Sequence, residues 1–208
     1  VGMLLISMPR WGSRGLGMVI AGVGFLFLGI DYIKNGFLLL SSLFDLRQYA
    51  QPGWGGILLY AAAGVLLTLV MQSSHASLLL CMAALTSGQL PLDHALALVL
   101  GINVGATGPV LLGAVHSAEA GQRLALLDLL FKSATALLCL LAFHPLCALN
   151  EFLATLLGLG PNDLALRLAL FHTLFNLLAV AWLLPFSGQW ARLMVWLLPN
   201  RIERQPVH

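Results

Sequence analysis

Charge is what this sequence has least of. Lys and Arg number 10 and Asp and Glu 8, so only 9% of the 208 residues are charged, where a soluble domain carries about 25%. The net charge of +2 comes without a basic run interleaved with aromatics, which leaves no footprint for nucleic acid. Cysteine is scarce as well. Cys81, Cys139 and Cys147 lie in or beside apolar segments at spacings that match no zinc or disulfide pattern, and they read as buried, unreactive side chains. The dinucleotide glycine fingerprint, the phosphate loop, the Gly-x-Ser-x-Gly elbow and the His-Glu-x-x-His zinc motif are all missing. Ser74 and His75 are neighbours in sequence, and in a helix they point about 100° apart, too far for a nucleophile and its base. The chain therefore reads as a non-enzyme with no metal centre and no bound cofactor.

Apolar residues fill the space that charge leaves. The sequence is 60% hydrophobic with a mean hydropathy of +0.94, and several windows reach the roughly 20 apolar residues that a bilayer crossing needs. The predicted fold class is all-α: a polytopic integral membrane protein, surrounded by the lipid bilayer and expected in a bacterial inner membrane. The whole chain, 1–208, reads as one transmembrane domain. A repeat core covers 15–115, supporting membrane helices cover 116–199, and a polar tail covers 200–208. Val1 to Met8 resembles the tail of a membrane segment and lacks the basic start of a signal peptide, so the chain is expected to be a fragment or one half of something longer.

Gln72-Ser73-Ser74-His75 interrupts the predominantly apolar run from Trp54 to Leu85. In hydrocarbon each unsatisfied polar group costs several kcal/mol, so this cluster is either glue between helices or the lining of a polar cavity. The arm before it, Gly55 to Met71, nearly spans a membrane, whereas the arm after it, Ser77 to Leu85, covers only half. Two unequal arms around a polar tip predict a re-entrant hairpin; a single kinked helix is the competing reading. Beyond a short loop, Gly101-Ile102-Asn103-Val104-Gly105-Ala106-Thr107-Gly108-Pro109 predicts a discontinuous helix with an unwound turn. His94 and His116 look like loop-end residues without partners.

An internal repeat follows, offset by 44 residues (123 to 167), in which Arg123 to Lys132 matches Arg167 to Asn176 at six of ten positions. Leu146 to Leu159 reads as amphipathic, and Trp190 to Leu198 as a short segment lying at the membrane interface.

Three of these segments, taken in order, carry a resemblance. Gln72-Ser73-Ser74-His75-Ala76, Gly101-Ile102-Asn103-Val104-Gly105-Ala106-Thr107 and Phe171-His172-Thr173-Leu174-Phe175-Asn176 resemble the signature motifs of the type II sodium–phosphate cotransporter family. Gly24-Phe25-Leu26-Phe27-Leu28-Gly29 is similar to the opening of its repeat. The resemblance implies an alternating-access transporter made of two inverted repeats, of which this chain is similar to the second half. It implies sodium-coupled uptake of phosphate, or of a related small anion, with sodium as the coupling ion. A second repeat or a homodimer partner would then complete the fold.

The resemblance also implies site residues. Gln72, Ser73, Ser74, His75, Asn103 and Thr107 would bind the anion, and Ser73, Ser74, Asn103, Thr107 and Asn176 would hold the ion. His75 stands where the family has a third serine and Ala106 where it has a threonine. Asp128 and Lys132 replace a His and an Asn, and their spacing allows a charge pair along one helix face. That pair is either structural or a built-in positive charge in place of sodium. The alternative to transport is a non-transporting scaffold or anion-binding subunit that keeps the transporter fold.

Overall fold

The computed structural model describes residues 11–41 and 46–199, together with Val1, Met3 and Ile6. The chain divides into two compact units at residues 45 and 46. The first holds helix α1, Trp11–Ser41, a 31-residue element that continues through its polar residues. Within it Asp31 accepts a hydrogen bond of 3.0 Å from Asn35 Nδ2. The expected polar tail at 200–208, like residues 42–45, lies outside the described residues.

The second unit opens with a short 3-10 turn, Leu46–Tyr49. Seven helices follow: α2 Trp54–Met71, α3 Ser74–Thr86, α4 Leu92–Gly105, α5 Thr107–Ala114, α6 Glu119–Leu141, α7 Phe143–Leu156 and α8 Leu164–Leu197. Among the described residues of the chain, five stretches are long and apolar enough to cross a membrane: 14–39, 54–71, 92–114, 119–141 and 164–197. The protein is an all-α polytopic membrane protein.

Helix α4 is the centre of the second unit, with ten of its 14 residues buried. Its main partner is α2, and glycines make their contact close. A Cβ on Gly101 would stand 1.8 Å from the Ala61 carbonyl oxygen, and one on Gly64 would stand 2.1 Å from that of Leu98. Ala61 meets Gly101, Val65 meets Gly105 and Leu69 meets Gly108, so the two helices run parallel. In a membrane the hydrophobic effect gives little drive to helix association, and such small-residue seams let backbones gain dispersion contact instead.

The expected break near Asn103 falls between α4 and α5. The interruption is a single residue, Ala106, whose φ of −62° and ψ of −13° stay near helical values while its N–H still reaches the Ile102 carbonyl. Together Leu92 to Ala114 are long and apolar enough to cross a membrane. Gly101, Gly105 and Gly108 also serve the seam with α2. Pro109 falls in the first turn of α5, where a missing N–H costs no helical bond, and that is where the pattern restarts.

Helices α6 and α7 meet at Ala142 and together run antiparallel to α8. Arg123 Nε donates to the Leu198 carbonyl at 2.8 Å near one end. Phe131 packs against Trp182 with ring centres 5.4 Å apart, and Trp182 Nε1 donates to Thr135 Oγ1 at 3.2 Å. Glu151 pairs with Arg167 near the other end. Helix α8 is continuous for 34 residues with Pro185 inside it, a length of about 51 Å. The expected separate interfacial segment Trp190 to Leu198 is thus the end of this helix. Proline costs the bond to the Ala181 carbonyl, and the aromatic contacts of Trp182 and Trp190 with Phe131 on either side hold the line through it.

His94 is likewise not a loop-end residue. It is 4% exposed, with Nε2 3.0 Å from the Gln51 carbonyl oxygen, Nδ1 2.9 Å from Asp93 Oδ1 and its ring edge-on to Tyr60. It ties the chain entering α2 to the start of α4. Gly56 leaves the room, since a Cβ there would stand 1.9 Å from the same Gln51 oxygen. His116 sits exposed in the turn before α6.

Candidate functional site

Helices α2 and α3 are joined by only two residues, Gln72 and Ser73. Gln72 closes α2 in the left-handed region at φ 52°, with its N–H bonded to the Thr68 carbonyl at 2.8 Å. Among the described residues it is the one non-glycine with positive φ, a conformation that costs an L side chain roughly 1 kcal/mol. Ser73 is extended and opens α3 as its N-cap, its Oγ accepting from the Ala76 N–H at 3.3 Å. The Ser77 hydroxyl donates to the Ser73 carbonyl at 3.0 Å. The polar cluster thus builds a sharp helix–turn–helix instead of a kinked helix.

The first turn of α3 is the chemically distinctive part. The N–H groups of Ser74 and His75 precede the first helical acceptor, so the helix itself cannot satisfy them. They sit at the positive end of the helix dipole, beside the Ser74 hydroxyl and the Gln72 carboxamide. Gln72 and His75 are exposed, and Ser73 and Ser74 are half-buried. This is a set of neutral donors suited to an anion.

The tip meets the rest of the unit at α8. Helices α3 and α8 pack together. His172 stands edge-on to Phe175 at 5.4 Å, and its carbonyl accepts from Asn176 Nδ2 at 2.6 Å. On the other side, Cys81 Sγ reaches the Ala95 carbonyl at 3.7 Å. Along the α2–α4 seam Val65 meets Gly105 and Leu69 meets Gly108, so Thr107 lies nearer the Gln72 end of α2 than Asn103, which falls about two helical turns short of it. Asn103 is half-buried and Thr107 is buried. The Thr107 hydroxyl donates to the Val104 carbonyl at 2.8 Å, leaving its lone pairs as oxygen ligands.

Asp128 and Lys132 pair with each other, Oδ2 to Nζ, at 3.0 Å, and both are about three-quarters buried. Their neighbours Phe131 and Thr135 face Trp182, which lies ten residues past His172, about 15 Å along α8. The hairpin tip and the charge pair therefore address different stretches of α8.

Two features escaped the sequence reading. One is His94. The other is a polar group at the start of α8: Arg167, 7% exposed, pairs with Glu151, and its carbonyl accepts from Asn150 Nδ2 at 3.3 Å. The signal was available, since Arg167 leads the internal repeat and Glu151 precedes it by 16 residues.

The profile of the Na+/Pi-cotransporter family matches residues 47–169, from the 3-10 turn through the first turns of α8. This chain belongs to the Na+/Pi-cotransporter family. Among its relatives are two enterobacterial proteins, each named "Putative inorganic phosphate export protein YjbB", from Salmonella typhimurium strain LT2 and Escherichia coli strain K12. Each is 29% identical over 177 residues, covering 85% of this chain and 31% of the relative. A Bacillus subtilis protein, "Uncharacterized protein YqeW", is 25% identical over 204 residues, covering 96% of this chain and 63% of that one. The chain thus spans about a third of the length of the two enterobacterial relatives. No solved structure matches.

Proposed function

We propose that this chain forms part of a sodium-coupled phosphate transporter and that the α2–α3 tip is its phosphate-facing element. The observation that carries the reading is the first turn of α3, which presents unsatisfied N–H groups, the Ser74 hydroxyl and the Gln72 amide at a sharp tip packed toward α8. Phosphate needs donors that replace its water, and a helix N-terminus supplies them without a full positive charge. Sodium needs neutral oxygens. Asn103, Thr107 and Asn176, with the hydroxyls of Ser73 and Ser74, offer them.

Transport proceeds by alternating access. One bundle moves against another around the site, and a second inverted half, on a longer chain, another chain or a second copy, completes the pathway. The two enterobacterial relatives carry phosphate export in their names. Direction in a secondary transporter follows the gradients, and an inward sodium gradient drives phosphate uptake through the same site.

The test is flux of radiolabelled phosphate in proteoliposomes. An imposed inward sodium gradient accelerates uptake several-fold over an equal potassium gradient. Saturable phosphate binding without flux would instead identify an anion-binding subunit, and neither binding nor flux would sink the reading.

A further inference from the structure

Gln72 holds a positive φ of 52° without being a glycine, and strain of this kind persists only where the surroundings impose it. What imposes it lies one helical turn back. The Gln72 N–H bonds to the Thr68 carbonyl at 2.8 Å. Thr68 is fully buried, and its hydroxyl donates to the Gly64 carbonyl at 3.0 Å. Helix α4 is pressed against it. A Cβ on Gly105 would stand 2.8 Å from Thr68 Cβ and 2.6 Å from the Val65 carbonyl oxygen. Any side chain at 105 therefore drives the last turn of α2 away.

Gly105 is the last residue of α4, two before Thr107, so this contact joins the polar segments 72–76 and 101–107. The other glycines of the seam do not reach the tip in this way. Gly101 overlaps most with Ala61, about three helical turns before Gln72. Gly108 meets only the side chain of Leu69, whose end can rotate aside.

We propose that Gly105 and Thr68 are positioning residues for the hairpin tip. By fixing the Thr68 carbonyl they keep Gln72 left-handed, and with it the donors of Gln72, Ser74 and His75 set for an anion. This role rests on the tip being the phosphate-facing element. Once the contact is loosened, Gln72 relaxes to an ordinary φ, and bound phosphate must restore the turn. A strain of the size usual for such a residue then weakens phosphate binding about fivefold.

Two readouts test this on the chain in phosphatidylcholine nanodiscs: saturable binding of radiolabelled inorganic phosphate, and deuterium exchange at the amides of the tip. Gly105→Ala is expected to raise the phosphate dissociation constant about fivefold and to speed exchange of the Gln72 amide. Thr68→Ala loosens the contact from the other side, does the same, and serves alone if Gly105→Ala fails to fold. The double variant loses no more affinity than the worse single one, because both remove one contact. Gly101→Ala, with the greater overlap, lowers the unfolding temperature at least as far yet leaves both readouts near the parent. A merely structural seam gives no such split. Affinity and tip exchange that simply follow the unfolding temperature across the variants overturn the proposal, as does unchanged tip exchange in Gly105→Ala and Thr68→Ala. A parent chain that binds no phosphate sinks the functional reading instead, and tip exchange then decides the positioning role by itself.

Discussion

Gly101 lies so close to Ala61 that a methyl group added to it would overlap the Ala61 carbonyl oxygen, at 1.8 Å. The obstacle is backbone, which cannot rotate out of the way as a side chain tip can. Gly101→Ala is therefore expected to push α4 from α2 and to lower stability by about 1–3 kcal/mol, the usual range for overpacking. Gly113→Ala, which meets nothing within 4 Å, is the control. Thermal unfolding in detergent checks both, and an unchanged midpoint for Gly101→Ala contradicts the packing described.

Ser73 has a structural role that its neighbour Ser74 lacks. Ser73→Ala removes the cap on Ala76 N–H and is expected to cost about 1 kcal/mol. Ser73→Asp restores the cap but places a carboxylate beside the anion site. It is expected to recover stability and lose phosphate binding, so thermal midpoint and phosphate titration separate the two roles.

The Asp128–Lys132 pair is an intrahelical contact, about three-quarters buried and short. A double-mutant cycle with Asp128→Asn and Lys132→Met is expected to give a coupling of roughly 0.5–1 kcal/mol. Sodium dependence of phosphate flux is expected to persist in Lys132→Met. A sodium-independent wild type that becomes sodium-dependent in Lys132→Asn would show instead that the ammonium stands in for the ion.

Burial, and then the Asp93 carboxylate, push the Cys147 thiol up to about 11. A raised value keeps the reactive thiolate scarce until pH approaches it. Alkylation of Cys147 is expected to climb about tenfold per pH step from pH 8 to 10 without levelling, and to run about 100-fold slower below pH 9 than an ordinary thiol. Asp93→Asn moves the levelling point down. A rate that levels near pH 9 in the parent chain contradicts the environment described.

The hairpin was legible because four polar residues in an apolar run admit few arrangements, and the tip at Gln72 and Ser73 falls where that argument puts it. The break after Asn103 falls at Ala106 and is one residue long. Glycines inside a membrane helix serve to unwind it or to admit a neighbour, and only the contacts of Gly101 and Gly105 with Ala61, Val65 and Thr68 reveal the second. His94 was invisible to spacing arguments because its partner is a backbone carbonyl 43 residues earlier, and carbonyls carry no sequence signal. The same holds for Asn150, whose amide meets the Arg167 carbonyl. Continuity of α8 through Pro185 depends on aromatic packing from α6, which composition alone does not reveal.

The central claim is that the first turn of α3 holds phosphate, and Ser74→Ala tests it most directly. The hydroxyl takes no part in the capping bonds that shape the tip, so the variant is expected to unfold at the parent temperature while losing saturable phosphate binding and flux in proteoliposomes. Parent-level phosphate flux through Ser74→Ala, with an equally unchanged Gln72→Ala, would contradict the account.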